Sequence, residues 1–336
     1  MIDLENTTPD IFDLYEMINY SIDNNCKVVV MEVSSQAISY KRIGKLKFDI
    51  ACFTNLTQDH LDFHKTMTNY MNTKKELFKR LRNEKISIIN SDDKYYKNFI
   101  IKKNNNILYG LNGDYKISDL NINLDKSNFK LNYKNKIYNI NIPLTFKYNI
   151  YNYVLSLIIC NKLGINIETI IENSKDLKYP KGRLELIKYK NNYIIIDYAH
   201  TPDGVLNVLE NIQKFKKNKI ITIIGCGGNR DKTKRNKMGY ITCKYSNKVI
   251  FTNDNPRYEN EKDIIKDIIY NLEYKNYKII YDRYKAIKKG LKYLKNNDIL
   301  LILGKGHEEY QIINNKKINF SDYETVLQLT KIKKTV

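Results

Sequence analysis

A chain of 336 residues is long for one hydrophobic core and points to two domains. With 42% hydrophobic residues and no apolar run near the roughly 18 residues of a membrane span, it reads as globular and not membrane-spanning. Its net charge of +20 comes from lysines spread with Asn, Ile and Tyr along the whole length, which argues against nucleic acid as the main partner. A diffuse positive field would still attract anionic substrates.

The start, Met1-Ile-Asp-Leu-Glu-Asn, is acidic and has no apolar signal core, so a cytoplasmic location is expected. Residues 10–24 carry apolar positions near helical spacing, and 27–33 read as a buried strand. A second strand is expected over 48–56, a helix over 67–81, and a short strand over 86–90 with another helix after it. From 117 to 142 the pattern becomes near-strict alternation (Leu120, Ile122, Leu124, then Phe129, Leu131, Tyr133), which predicts antiparallel strands with one wet face. Residues 149–163 return to helix, with Gly164 as its cap. Beyond a boundary near 179–183, five apolar strands recur at 193–198, 219–225, 248–253, 277–281 and 298–303. Helical stretches separate them, the βαβ rhythm of a doubly wound sheet. The Asn/Lys-rich pieces 102–106 and 314–317 read as exposed loops, and there is no internal repeat. Cys26, Cys52, Cys160, Cys226 and Cys243 are scattered, odd in number and free of CxxC spacing, which favours reduced thiols over disulfides or zinc.

Chemistry concentrates first in Met31-Glu-Val-Ser-Ser-Gln-Ala-Ile and Phe53-Thr-Asn-Leu-Thr-Gln-Asp-His-Leu-Asp-Phe-His. Glu32 closes the apolar run 28–31, and Asp59 and His60 follow the run 50–56. Ligands gather at the carboxyl ends of parallel strands. A carboxylate and a neutral imidazole there can hold a divalent cation that steadies charge on a phosphate or acyl group. Lys74, taken alone, reads as a solvated helix lysine.

These stretches, together with Asp197-Tyr-Ala-His-Thr-Pro-Asp, Gly225-Cys-Gly-Gly-Asn-Arg-Asp, Asp254-Asn-Pro-Arg and Gly304-Lys-Gly-His-Glu-Glu-Tyr-Gln, resemble the Mur ligases. The closest likeness is to the branch that adds the third amino acid of the peptidoglycan stem peptide. The matching motifs occur in the family's order over nearly the whole chain. The resemblance implies an α/β fold: a central ATPase-type α/β domain over 1–180, incomplete because it lacks a P-loop, then a Rossmann-like doubly wound C-terminal domain over 181–336. It implies a monomeric ligase that uses ATP and Mg2+ to join UDP-N-acetylmuramoyl-L-alanyl-D-glutamate to meso-diaminopimelate through an acyl phosphate.

Residue by residue, the resemblance makes Glu32 and His60 metal ligands and Lys74 the lysine that becomes a carbamate, an anionic oxygen ligand beside the metals. Asn6, Thr7, Thr8, Ser34 and Arg42 match positions that hold the UDP-linked acyl substrate; 8–10 is equally a good helix start. Asn149, Arg183, Asp197 and His200 match contacts to ATP. Arg230, Asp254, Asn255, Arg257, Gly304 and Glu308 match the amino-acid pocket. There Arg257 offers a rigid fork to the distal carboxylate of diaminopimelate, which lysine lacks, and Glu308 suits the distal ammonium. All four histidines, His60, His64, His200 and His307, fall inside matched motifs.

The sequence also departs from the family. No Gly-x-x-Gly-Lys-Thr/Ser occurs, although the family carries one as its phosphate cradle. Gln36, Gln58, Lys181 and Asn229 replace the family's usual residues. Three readings therefore stand: a diaminopimelate-adding ligase, either a fragment of it or one completed by a separately encoded N-terminal part, a non-catalytic or decayed relative that keeps the fold, or another amide ligase of the same fold. Asp254-Asn-Pro-Arg and Met31-Glu-Val-Ser-Ser speak against the third. The DNA preceding Met1 would separate the first two.

Overall fold

A computed structural model describes residues 6–57, 60–314 and 316–333. Asp59 and Gln58 lie outside the described residues. The chain divides into two compact units, one up to Leu177 and one from Lys178 on.

In the first unit, helices α1 (Ile11–Asp23) and α2 (Ser35–Ser39) precede strand β1 (Phe48–Phe53). Helices α3 (Leu61–His64) and α4 (Met67–Lys75) follow, and α4 tightens into a 3-10 turn over Glu76–Arg80. Then come β2 (Leu81–Asn90), α5 (Tyr96–Phe99), β3 (Asn105–Gly110), β4 (Tyr115–Ile122), β5 (Ser127–Tyr133) and β6 (Lys136–Ile142), followed by α6 (Lys147–Lys162) and α7 (Ile167–Asn173). The six strands lie side by side in chain order, β1 to β4 parallel and β4 to β6 antiparallel. α6 lays Ile150, Val154, Leu157 and Ile158 on one face, against Ile88, Tyr109, Ile117 and Leu131. A second cluster of Phe53, Leu56, Tyr70, Phe78, Ile89 and Phe99 fixes α4 beside β1.

The expected strand over 27–33 is not formed. The segment is extended but belongs to no ladder, and Val28, Val29 and Val30 are 49%, 56% and 84% exposed. An apolar run becomes a strand only where a partner takes its backbone groups. β1 is the outermost strand on that side of the described sheet, paired with β2 alone. The expected loop 102–106 is overturned at its end: Asn105 and Asn106 pair with Ile86 and Ser87 and open β3, a strand whose Asn-rich start hides it in the sequence.

The second unit contains β7 (Glu185–Tyr189), β8 (Asn192–Asp197), α8 (Pro202–Gln213), β9 (Ile220–Ile224), α9 (Thr233–Tyr245), β10 (Lys248–Phe251), α10 (Glu261–Ile269) and β11 (Tyr277–Ile279). α11 (Arg283–Tyr293), β12 (Ile299–Leu303), the hairpin β13 (Tyr310–Ile313) and β14 (Lys316–Asn319), and α12 (Asp322–Thr330) complete it. All five expected strands are present, as β8 to β12, and run parallel; β7, which was not expected, adds a sixth strand antiparallel to β8, giving the order β11-β10-β9-β12-β8-β7. Helices on both faces explain why β9 and β12 are buried at every position and read as unbroken apolar runs. Of the expected loop 314–317, Lys316 and Lys317 belong to β14 and pair with Ile313 and Ile312 of β13, a short ladder hidden by its polar residues. β12 returns between β8 and β9, so the strand order reverses there, and in such sheets the crevice at the carboxyl ends receives the ligand. No helix among the described residues is long and apolar enough to cross a membrane.

Candidate functional site

That crevice is built. The segments leaving β8, β9, β10 and β12 enclose a cavity of about 320 Å³. From β8 come Tyr198 and His200; from β9, Gly225, Cys226, Gly227 and Arg230; from β10, Asp254, Asn255 and Arg257; from β12, Gly304 and Glu308. Lys234 at the start of α9 closes the wall and donates to the His200 carbonyl at 3.0 Å.

Asn255 and Glu308 of the cavity wall join a polar network, on the loops after β10 and β12, with the buried Lys305 behind them. Asn255 Nδ2 donates to Glu308 Oε2 at 2.8 Å, and the same oxygen accepts Lys305 Nζ at 2.8 Å. Asn255 Oδ1 accepts Lys305 Nζ at 3.2 Å and the Ile312 backbone N–H at 3.0 Å. Asp254 is fully enclosed, which pushes its carboxyl above the usual carboxylate range against the pull of Arg283 and Lys305. Gly304 sits at φ +110°, and a Cβ there would stand 2.7 Å from Asp254 Oδ2, so only glycine lets the two loops meet.

Arg257 holds a left-handed backbone at φ +55°. Its N–H bonds to Ile312 O at 2.9 Å and its carbonyl accepts Asn314 N–H at 2.8 Å, so β13 pins the conformation. Its Nη1 donates to Gly228 O at 2.9 Å, leaving the rest of the fork beside the cavity. Asn229 ties the same loop down: its Oδ1 accepts Tyr258 N–H at 3.1 Å and its own N–H donates to Glu259. Arg235, wholly buried, holds Glu259 and Asp267 and donates to Gly227 O at 3.1 Å. Burial pushes the Cys226 thiol up to about 12, so it stays protonated.

Asp197 is buried, and its two oxygens accept the Ala199 and Leu184 N–H groups at 2.8 and 2.9 Å. Its carboxylate thus shapes the turn that presents Tyr198. Arg183 is exposed and stacks over the Tyr198 ring at 5.0 Å, while the ring of His200 meets Tyr198 edge-on at 4.6 Å.

In the first unit the expected residues fall in separate groups: Thr8, Glu32 and Ser34 beside α2, His60 and Lys74 beside Tyr70, Arg42 with Asp10, and Asn149 on α6. Thr8 is buried, its hydroxyl donating to Glu32 O at 2.9 Å and accepting Ser34 N–H at 3.0 Å. Ser34 Oγ caps α2 by accepting Ala37 N–H at 3.1 Å. Asn6 and Thr7 are exposed, as is Glu32. His60 caps α3 in a left-handed conformation with its ring 6.1 Å from that of Tyr70, and Lys74 Nζ lies 5.2 Å over the same ring. His64 is stacked on Tyr70 and bonded to Ser35 Oγ at 2.8 Å. Arg42 pairs with Asp10 at 3.0 Å, and Asn149 Nδ2, in the first turn of α6, donates to Thr145 O just ahead of that helix at 2.9 Å. Among the described residues no three His, Cys, Asp or Glu side chains lie close enough to hold a metal ion.

Sequence reasoning passed over Lys305, Arg235, Ser35 and Tyr70. The only signal for Lys305 was its place between two glycines directly after a wholly apolar strand.

The family model for the Mur ligase middle domain matches residues 3–160, and that for the Mur ligase glutamate ligase domain matches residues 182–306. The UDP-N-acetylmuramoyl-L-alanyl-D-glutamate–2,6-diaminopimelate ligase of Clostridium botulinum is 41% identical over 98% of this chain and 69% of its own length. The chain belongs to the Mur ligase family. The ligase of the same name from Fusobacterium nucleatum is 41% identical over 95% of the chain and 67% of its own length. A solved structure of a ligase with that name, 29% identical, superposes with a TM-score of 0.70 over 96% of the chain and 68% of its own. The fold expected from the motifs is therefore that of the Mur ligase middle and C-terminal domains.

Proposed function

We propose that this Mur ligase adds meso-diaminopimelate to UDP-N-acetylmuramoyl-L-alanyl-D-glutamate in peptidoglycan synthesis, at the expense of ATP. The observation that carries the reading is the pairing, around one cavity, of the Arg257 fork with the carboxylate of Glu308. Two like charges would suit a simple ion; one of each suits an amino acid whose far end carries both a carboxylate and an ammonium.

The reaction passes the γ-phosphoryl group of ATP to a substrate carboxylate oxygen, giving ADP and an acyl phosphate. The ammonium first loses one proton to solvent, the neutral amine nitrogen attacks the acyl carbon, the C–O bond to phosphate breaks to release inorganic phosphate, and a second proton leaves the nitrogen, which keeps its third as the amide N–H. Arg257 and Glu308 hold the far end of the amino acid, so its other amine is left for attack. Arg183, exposed over Tyr198, and Lys234 supply cations suited to phosphate. In the other unit Glu32, His60 and Lys74 would hold the Mg2+, the carboxylate of Glu32 and a carbamate on Lys74 supplying the oxygen donors that this cation prefers and His60 an imidazole nitrogen. Bound there, Mg2+ would neutralise phosphate charge. The proximity of His60 and Lys74 to one ring, that of Tyr70, supports this fit. A carbamate on Lys74 gives a distinct carbon resonance in 13C-bicarbonate, absent in Lys74→Ala.

The test of substrate identity is titration of diaminopimelate and of lysine into the protein. Losing a buried charge-assisted pair costs roughly 2–5 kcal/mol, about one and a half to three and a half decades. Arg257→Ala should weaken diaminopimelate by that order and leave the ATP requirement unchanged. Equal binding of lysine and diaminopimelate by the unaltered protein would overturn the substrate assignment.

A further inference from the structure

Lys305 is the one cationic side chain at the heart of the cavity's network that the reaction as described does not use. Its side chain is fully buried. Nζ lies 2.8 Å from Glu308 Oε2, 3.2 Å from Asn255 Oδ1, 3.9 Å from Asp254 Oδ1 and 5.8 Å from the centre of the Tyr310 ring. An ammonium so enclosed cannot turn away to solvent, and every one of its polar partners belongs to the loops that carry the amino-acid pocket. Asn255 is thereby locked, its oxygen toward Lys305 and Ile312 and its amide toward Glu308.

Two consequences follow from this placement. Glu308 meets its partners through Oε2, which leaves Oε1 for a ligand cation. That carboxylate is also already shared with a fixed positive charge. A ligand ammonium that approaches Glu308 therefore enters beside Lys305, and like charges in a partly dry site repel far more than they do in water. A ligand that brings its own carboxylate next to that ammonium offsets the repulsion and pairs with Arg257 as well. A ligand with a bare terminal ammonium does neither.

We propose that Lys305 is a specificity-determining residue. By sharing Glu308 with the incoming ammonium it disfavours an amino acid with a lone terminal cation, and so selects an end group that is neutral overall. This rests on the reading of the cavity as the amino-acid pocket. It assigns rejection of lysine to Lys305 and attraction of diaminopimelate to Arg257, which makes the two separable.

Calorimetric titration of the full chain with meso-diaminopimelate and with L-lysine tests it, using unaltered protein, Lys305→Met and Lys305→Gln. With the charge removed, lysine should bind about tenfold more tightly in absolute terms, the effect of one screened charge pair. The preference for diaminopimelate should fall by at least that factor. Damage to packing alone weakens both ligands, so lysine affinity that is unchanged or lower in the folded variants overturns the proposal. Lys305→Gln keeps a donor to Asn255 and carries the test if the methionine variant does not fold. Arg257→Ala should erode the same preference by loss of diaminopimelate without gain of lysine, and a lysine gain there too would overturn the division of roles. Unaltered protein that binds both ligands equally overturns the reading of the pocket itself.

Discussion

The two units hold their chemistry in opposite ways. From Lys178 on, each pocket side chain leaves the carboxyl end of a strand whose neighbours lie on both sides, and the loops are tied to one another by buried groups. Arg283 shows the device most clearly. Wholly buried, it pairs with Asp322 through two hydrogen bonds of 2.8 and 2.7 Å, and it donates to the carbonyls of Leu303 and Asn253 at 3.0 and 3.3 Å. Those carbonyls stand immediately before Gly304 and Asp254, so one guanidinium sets the separation of the two loops that form the pocket. In the first unit Glu32 sits instead on an extended segment with no ladder, held by the Thr8 hydroxyl. A site built on sheet ends comes pre-organised; one built on a segment beside an edge strand depends on what else orders it.

The largest effect should come from breaking the clamp. Asp322→Ala leaves a buried guanidinium without its carboxylate, which typically costs about 3–5 kcal/mol. Calorimetry should show the transition of the second unit falling steeply, with that of the first unmoved. A loss below about 1 kcal/mol would mean the pocket loops do not need the clamp, and the contrast between the units would fail.

Next in size is Gly304→Ala. It forces a side chain into a left-handed position and against Asp254, a strain of about 1–3 kcal/mol. Because the strain falls on the pocket, diaminopimelate affinity should drop by more than stability does. Equal losses would place the strain elsewhere.

The legibility of the two units differs for the same reason. The strands β8, β9, β10 and β12 were readable because a sheet covered on both faces demands apolar runs, and Asn255, Arg257, Gly304 and Glu308 lie in the loops that follow β10 and β12. The structure brings these four to one cavity. The run 28–31, Val-Val-Val-Met, is as apolar as β9 and yet forms no strand, since composition specifies an apolar run and not the partner that would pair with it. Lys305 and Arg283 were illegible for another reason. A lysine or arginine is by default a surface residue, and only the enclosure of Glu308 and Asp322 beside them reveals their burial.

A smaller effect concerns acid. The Arg235 guanidinium bonded to Glu259 holds that carboxyl down to about 2, from an unfolded value near 4.5. A depressed carboxylate stabilises the fold fully above its unfolded value and loses that contribution as pH falls through the folded one. The second unit should therefore lose stability progressively from about pH 4.5 toward pH 2, and Glu259→Gln should flatten that limb. An unchanged acid limb in the variant would show that Arg235 serves Asp267 and the Gly227 carbonyl instead.

The smallest effect belongs to the segment that is not a strand. Val28, Val29 and Val30 are half or more exposed, so replacing all three by serine should change the stability of the first unit by no more than about 1 kcal/mol, as surface changes do. The matched change in the second unit, Leu300→Ala in β12, empties a fully buried position and should cost about 2–5 kcal/mol. If the triple variant instead loses as much as Leu300→Ala, the valines are covered in solution and Glu32 stands on an ordered strand. Hydrogen exchange separates the cases without any substitution, because amides 28–33 that pair with nothing exchange within the fastest phase, whereas ladder amides are protected by the stability of their unit.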